Sequence, residues 1–262
     1  GSRADFSMEA FMPERHVDFG ATGGEKADSS TDMYGVPSIG WTAPTSEGSD
    51  LYFGGGMYGT SGMGVDYAQT QMSAAQGTPG QSGYKPAMHW DGYSNIQLWE
   101  MAPTLAWRMN DRLKLGASLN ISYQSVAFQQ RAMFDSTGDG TADTTAQNFD
   151  LSRSASAFGY GISLGALYKL TEEIQLGVSY KSKQSFGDLE YQLVDTDMGQ
   201  LDTSDPNNPD DPNNPEWQGG GAGTYTLGLD LPQRFAFGAA WMPSDDLTVS
   251  ADIKWINWSD TM

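Results

Sequence analysis

The chain has 262 residues, 33 acidic against 14 basic side chains, a formal net charge of -19 and no cysteine. Phosphates would be repelled, which argues against nucleic acid as a partner, and without thiols neither disulfides nor thiolate metal sites can form. No run of eighteen apolar residues occurs, which excludes a transmembrane helix but not a β-barrel, whose strands need only about 9–11 alternating residues each.

A first strand is predicted over Phe6–Phe19, with Phe6, Met8, Ala10 and Met12 on one face, and a polar connection over Ala21–Asp32. Tyr34–Ala43 is the second strand, Pro44–Asp50 a short turn, and Leu51–Tyr58 the third strand, with Gly54, Gly55 and Gly56 in its middle. Gly59–Tyr93 shows no clear period and reads as a long loop. Ile96–Met109 is the fourth strand, and Asn110, Asp111 and Arg112 turn it into the fifth, Leu113–Gln129. In the fifth, Leu113, Leu115, Ala117, Leu119, Ile121 and Tyr123 alternate with Lys114, Gly116, Ser118, Asn120 and Ser122. An extended chain with that pattern has one greasy face and one face of small neutral groups. A slip of parity between Tyr123 and Val126 suggests a bulge.

A loop over Arg131–Ser154 leads to the sixth strand, Ala157–Leu170, and Thr171, Glu172 and Glu173 turn into the seventh, Ile174–Phe186. The longest loop, Gly187–Gly223, carries the imperfect repeat DPNNPDDPNNPE over Asp205–Glu216. Thr224–Trp241, interrupted by Pro232, is the eighth strand, and Pro243–Asp246 turns into the ninth, Leu247–Trp258.

Connections after the odd strands are long and those after the even strands short. That asymmetry belongs to up-and-down barrels of the outer membrane, with short periplasmic turns and long outer loops. Aromatics toward strand ends, among them Trp41, Tyr52, Trp99, Trp107, Tyr168, Tyr180, Trp241, Trp255 and Trp258, suit the two lipid–water boundaries. The fold class is therefore all-β, an antiparallel transmembrane barrel over residues 1–262, with outer loops at about 20–33, 59–94, 130–155 and 187–223. Nine strands do not close as a bacterial barrel, which uses an even number, so the chain is expected to be part of a larger one.

Ala4–Gly20, Met101–Val126, Phe158–Ser182 and Leu231–Asp260 resemble, in that order, segments of the FadL-like family of outer-membrane transporters of long-chain fatty acids and hydrocarbons. The resemblance implies a Gram-negative outer-membrane barrel of fourteen strands, plugged by an N-terminal hatch. It further implies capture of a hydrophobic substrate by outer loops and its release through an opening in the wall beneath a kinked strand. On that resemblance the chain is expected to be a portion without the hatch and its Asn-Pro-Ala motif or the last strands, and to act as a monomer when complete, among outer-membrane lipid and lipopolysaccharide.

Gly54, Gly55 and Gly56 lie in the strand that is kinked in the family, and glycine tolerates such bending; they are the expected lateral gate. Tyr58, Met63, Val65, Tyr67, Met72, Met88 and Trp90 offer flexible thioethers and flat rings for an alkyl groove. A fatty carboxylate would want a cation, for which Lys85, His89, Arg131 and Arg153 are placed in or near outer loops, the two arginines being the ones assigned to substrate. Asp135, Thr137, Asp139 and Asp143 resemble a calcium loop with Gly140 at its turn, although the twelfth position is Ala146 rather than Glu; no other cofactor is expected. No nucleophile–His–acid spacing, phosphate loop or HExxH motif occurs, so no enzyme is expected. The alternative is a secreted, calcium-dependent β-domain acting in adhesion.

Overall fold

The computed structural model describes residues 2–202, 216–219, 221–259 and 261. Its strands are β1 (Arg3–Phe11), β2 (His16–Asp18), β3 (Lys26–Asp28), β4 (Tyr34–Pro44), β5 (Leu51–Ser73) and β6 (Met88–Met101). They continue with β7 (Thr104–Arg108), β8 (Leu113–Phe134), β9 (Thr144–Lys169), β10 (Ile174–Lys181) and β11 (Ser185–Phe186). The last are β12 (Leu189–Leu193), β13 (Met198–Asp202), β14 (Glu216–Gly219), β15 (Gly223–Leu227), β16 (Gln233–Ser244) and β17 (Leu247–Asn257).

Neighbours in the main sheet run β1-β4-β5-β6-β8-β9-β10-β16-β17, so each wall strand pairs with the next along the chain. β7 continues β6 in the same register across Ala102 and Pro103: Met101 faces Ile121 and Thr104 faces Ser118. The predicted up-and-down order is thus present, with nine wall strands among the described residues. Short turns follow β4, β7, β9 and β16.

Which way the greasy face points decides between a membrane wall and a soluble sheet. Leu105, Leu119, Ile162, Leu164, Phe237 and Ile253 are exposed, whereas Glu100, Asn120, Ser122 and Gln124 are buried. Cross-strand register joins the exposed residues into one band: Leu105 faces Ala117, Ala117 faces Leu164, Leu119 faces Ile162, and Phe237 faces Ile253. A soluble β-domain buries that face; here it is the outer one, as lipid requires. Trp107, Tyr168 and Trp241 stand exposed on the same side beside the short turns, where indole and phenol rings prefer the boundary.

Two of the expected loops are mostly strand. The segment predicted as a loop over 59–94 is β5 up to Ser73 and β6 from Met88, and that over 130–155 is β8 up to Phe134 and β9 from Thr144. β9 is 26 residues long, well beyond the roughly 9–11 a bilayer needs, so the hairpins continue outside it. The pairing passes through register shifts at Gly59/Ser61, Tyr67/Thr70 and Gln71/Ser73 on β5, and at Val126/Phe128 on β8. Each extra residue resets the period of two, so alternation fails while hydrogen bonding does not. The first strand ends at Phe11 rather than Phe19, and His16–Asp18, predicted as its continuation, forms a separate hairpin with Lys26–Asp28 of the predicted polar connection. The predicted eighth strand is two elements, β15 and β16, separated at Pro232. Of the acidic repeat, Asp205–Pro215 lies outside the described residues.

Between β10 and β16 the chain turns into the barrel. β12 pairs with β15 as a separate hairpin, and Leu189, Tyr191 and Leu193 on one face of β12 are buried against Val126, Ala155 and Ala157 of the inner wall. Tyr191 also donates its hydroxyl to the carbonyl of Val126 at 3.0 Å. The small inner face of β9 is therefore a seat for an inward-folded segment as well as a lining of open space. Gly159 lies under the ring of Phe186, and Gly161 under the side chain of Gln184.

Candidate functional site

The wall is not continuously paired. β4 pairs with β5 from Pro44–Tyr52 to Ser38–Tyr58 and no further, while its other edge stays paired to β1 as far as Tyr34. Residues 34–37 of β4 therefore face residues 59–62 of β5 without a ladder. Pro37, with no N–H to donate, sits where pairing stops, and the Gly59/Ser61 register shift sits opposite. What crosses the seam is the Tyr34 hydroxyl, donated to the carbonyl of Gly64 at 2.6 Å. Arg15 donates to that hydroxyl at 2.8 Å and lies over the ring at 5.2 Å.

A cavity of about 400 Å³ occupies the seam, lined by Phe11, Met33, Val36, Ser61, Ile96 and Trp99 among others. A second, of about 240 Å³, lies within the lumen between Leu98, Val126, Leu229, Leu231 and Trp258. Ser61, Ile96 and Gln97 line both. An apolar solute in the lumen is thus separated from the seam by little more than β5 at its register shift.

The expected gate residues lie nearby but are not the unpaired ones. Gly54, Gly55 and Gly56 are matched to Thr42, Trp41 and Gly40 on one side, and they run in continuous register opposite Ala102–Thr104 on the other. They serve close approach instead: a Cβ on Gly54 would stand 2.4 Å from the carbonyl oxygen of Trp41, and one on Gly55 would stand 2.9 Å from the Trp41 ring. The opening begins three residues after the triplet.

The expected groove residues are distributed over paired strands. Tyr67 stacks on Trp90 at 5.5 Å, with Phe19 edge-on to Trp90 at 5.7 Å, and Trp90 donates its indole N–H to Gln130 at 2.7 Å. These rings form one built cluster. Met63 is exposed, whereas Val65, Met72 and Met88 are half-buried along β5 and β6. Tyr58 faces the lumen and donates to Glu100 at 2.9 Å. Both arginines assigned to a substrate headgroup are engaged: Arg131 pairs with Asp91 and Arg153 with Asp197. His89 turns Nδ1 to the carbonyl of Gln69 at 3.2 Å. By contrast Arg234, half-buried on the opening strand residues of β16, has no carboxylate at ion-pair distance among the described residues.

At the expected calcium loop, Asp135 accepts from the backbone N–H groups of Gly138 at 2.5 Å, Gly140 at 2.7 Å and Asp139 at 3.2 Å. Burial pushes the Asp135 carboxyl up, but these amides and the Thr137 hydroxyl outweigh it and leave its pKa below the ordinary value. A cation there would compete with those donors for the same oxygens, and no group of three or more metal-capable side chains forms among the described residues. The Ser136 hydroxyl and N–H hold the Asp143 carboxyl down at about 2. A depressed carboxylate stabilises the loop above its ordinary value and stops doing so as pH falls through the folded one. Titration of the Asp143 carboxyl carbon by NMR should therefore show a midpoint near 2, with loss of the loop's amide signals over the same fall.

The sequence reading missed the inward segment and the polar layer beneath the lumen cavity. Glu100, the one acid in the predicted strand Ile96–Met109, was the available signal, together with Gly159 and Gly161 at alternate positions of β9.

A family model described as "Outer membrane protein transport protein (OMPP1/FadL/TodX)" matches residues 3–261. No curated protein matches the chain. Among solved structures, the P. putida toluene transporter TodX aligns at 22% identity and a TM-score of 0.61, covering 100% of this chain and 61% of that one. The Ralstonia pickettii toluene transporter TbuX aligns at 18% and 0.57, covering 98% and 61%. A Pseudomonas aeruginosa FadL homologue aligns at 17% and 0.55, covering 98% and 59%. At these identities the likeness is one of fold, and the chain spans about three fifths of the length of each.

Proposed function

The chain belongs to the OMPP1/FadL/TodX family of outer membrane transport proteins, and from that premise we propose that its parent protein lets hydrophobic compounds pass passively from the lumen sideways through the wall. The chain is part of a Gram-negative outer-membrane β-barrel, so its greasy outer band lies in lipid. The reading rests on one observation: the lumen cavity and the seam cavity share Ser61, Ile96 and Gln97 where β5 parts from β4. A hydrophobe moving that way goes from an apolar pocket to lipid without crossing water, which needs no energy source. The complete protein works as a monomer in this reading, its outer strands among lipopolysaccharide.

Neutral hydrocarbons are the favoured substrates. The cations expected to hold a carboxylate, Arg131 and Arg153, already have carboxylate partners, and separating a half-buried pair to serve a substrate is costly. TodX and TbuX, which share the fold, are described as toluene transporters. Long-chain fatty acids remain the second reading because of Arg234, a lumen-side cation beside Lys181 with no such partner among the described residues. Uptake of labelled toluene and labelled oleate by cells expressing the full-length parent separates the two. The expected result is toluene entry above the empty-vector control and unchanged by Arg234→Gln. If oleate enters and Arg234→Gln lowers it several-fold, the fatty-acid reading replaces the hydrocarbon one. Entry of neither, with the protein present in the outer membrane, overturns the transport role.

A further inference from the structure

The greasy outer band is not smooth. Beside the short turns it holds a cavity of about 520 Å³, whose floor is Ala117 and Ala166 and whose rim includes Leu105, Trp107, Leu164 and Val178. A second, of about 350 Å³, shares Leu105 and Ala117 with it and runs on to Pro103 and Leu119. Together they make one narrow trench along β7 and β8, from the level of Trp107 and Leu115 to that of Pro103 and Leu119. Four residues of strand give it a length of roughly 13 Å.

Cross-strand register explains the depression. In one outward row Leu115 faces Ala166, which faces Val178; in the next Leu105 faces Ala117, which faces Leu164. The alanine falls on β9 in the first row and on β8 in the second, so two short side chains lie diagonally among long ones. A lipid-facing strand gains nothing from burying its own core on this side, and larger residues would fit there equally well. The trench is therefore a shape that another molecule can fill.

What faces it is lipid, because it lies on the exposed outer face and in the half of the wall beside the short, periplasmic turns. A second barrel would present a convex wall, rest on the rim and leave the floor uncovered. At headgroup level the turn between β7 and β8 offers one charge of each sign. Asp111 and Arg112 are exposed, and neither is within ion-pair distance of an opposite charge among the described residues. The neighbouring carboxylate of Glu172 is paired with Lys169. Leu113, next to Arg112, faces Tyr168 one row below the mouth of the trench. A guanidinium suits a phosphate and a carboxylate suits an ammonium, so the turn matches a zwitterionic headgroup better than an anionic one.

We propose that the trench binds one phospholipid of the periplasmic leaflet, with an acyl chain over Ala117 and Ala166 and a zwitterionic headgroup at Asp111 and Arg112. Contacts on the floor and both sides hold that chain more closely than lipid on the flat wall is held. The site is separate from the seam between β4 and β5, and it rests only on the chain's place in an outer membrane.

The test is native mass spectrometry of the purified full-length parent, delipidated in detergent and titrated with palmitoyl-oleoyl phosphatidylethanolamine or the matching phosphatidylglycerol. The parent should retain one phosphatidylethanolamine and several-fold less phosphatidylglycerol. Ala117→Leu/Ala166→Leu, which fills the trench, should lose most of the retained lipid. Arg112→Gln should lower retention several-fold, and Arg112→Lys should recover part of it. Heat-modifiable migration on gels identifies the folded variants. A folded, filled variant that retains as much lipid as the parent overturns the trench as the site. Equal retention of the two lipids overturns the headgroup assignment. A parent that keeps no phospholipid, or that instead forms a dimer lost in the filled variant, overturns the proposal as a whole.

Discussion

Oxidising a Val36→Cys/Gly59→Cys variant should abolish uptake of hydrophobic substrate by the full-length protein, and reduction should restore it. A Cβ placed on Gly59 would lie 3.2 Å from Cγ1 of Val36, close enough for two cysteine Cβ atoms to meet the roughly 3.5–4.5 Å that a disulfide requires. The bond would join β4 to β5 where their ladder has ended. With no native cysteine, no competing bridge can form within this chain. Each single cysteine should transport normally, which separates closure from crowding. An oxidised variant, verified as cross-linked by mass, that still takes up substrate at the parent rate would show that the seam is not the exit.

Gly161→Val should expel the inward segment from its seat. A Cβ at residue 161 would stand 2.1 Å from Nε2 of Gln184 and 2.9 Å from the backbone oxygen of Lys183. A side-chain amide can swing away, but the carbonyl belongs to a segment already tied to Leu231. Overpacking of this kind costs about 1–3 kcal/mol, and it strikes the layer that holds Ser122 and Gln184 together. Urea unfolding should show the lowered stability, and tryptic cleavage after Lys183 should accelerate. Gly165→Ala is the control, because its Cβ would meet the Val178 carbonyl at an ordinary 3.8 Å. Equal stability and equal cleavage in Gly161→Val and parent would mean that residues 183–186 do not rest on β9.

The notch between β4 and β5 also shows why a glycine triplet misled the sequence reading. Gly54–Gly56 and Gly59 are alike in sequence, each able to bend or to admit a neighbour. The triplet is used for close approach to Trp41, and the unpaired stretch begins at Gly59. Only the position of β4, ending its ladder at Ser38, separates the two uses. Similarly, Arg131 and Arg153 look like free cations along the chain, and their partners Asp91 and Asp197 lie 40 and 44 residues away.

What the sequence by itself determined is the wall: nine strands, their order, their short turns and the direction of their greasy face. Period-two alternation and turn chemistry are local, and antiparallel neighbours that follow one another in the chain need no long-range information to be paired. What only the tertiary structure decided is how the lumen is filled and where the wall parts. The Glu100–Lys181 pair joins residues 81 apart, Gln184 and Phe186 cover glycines whose reason is another segment's volume, and a seam is the loss of a partner. None of these leaves a periodic mark on the strand that bears it.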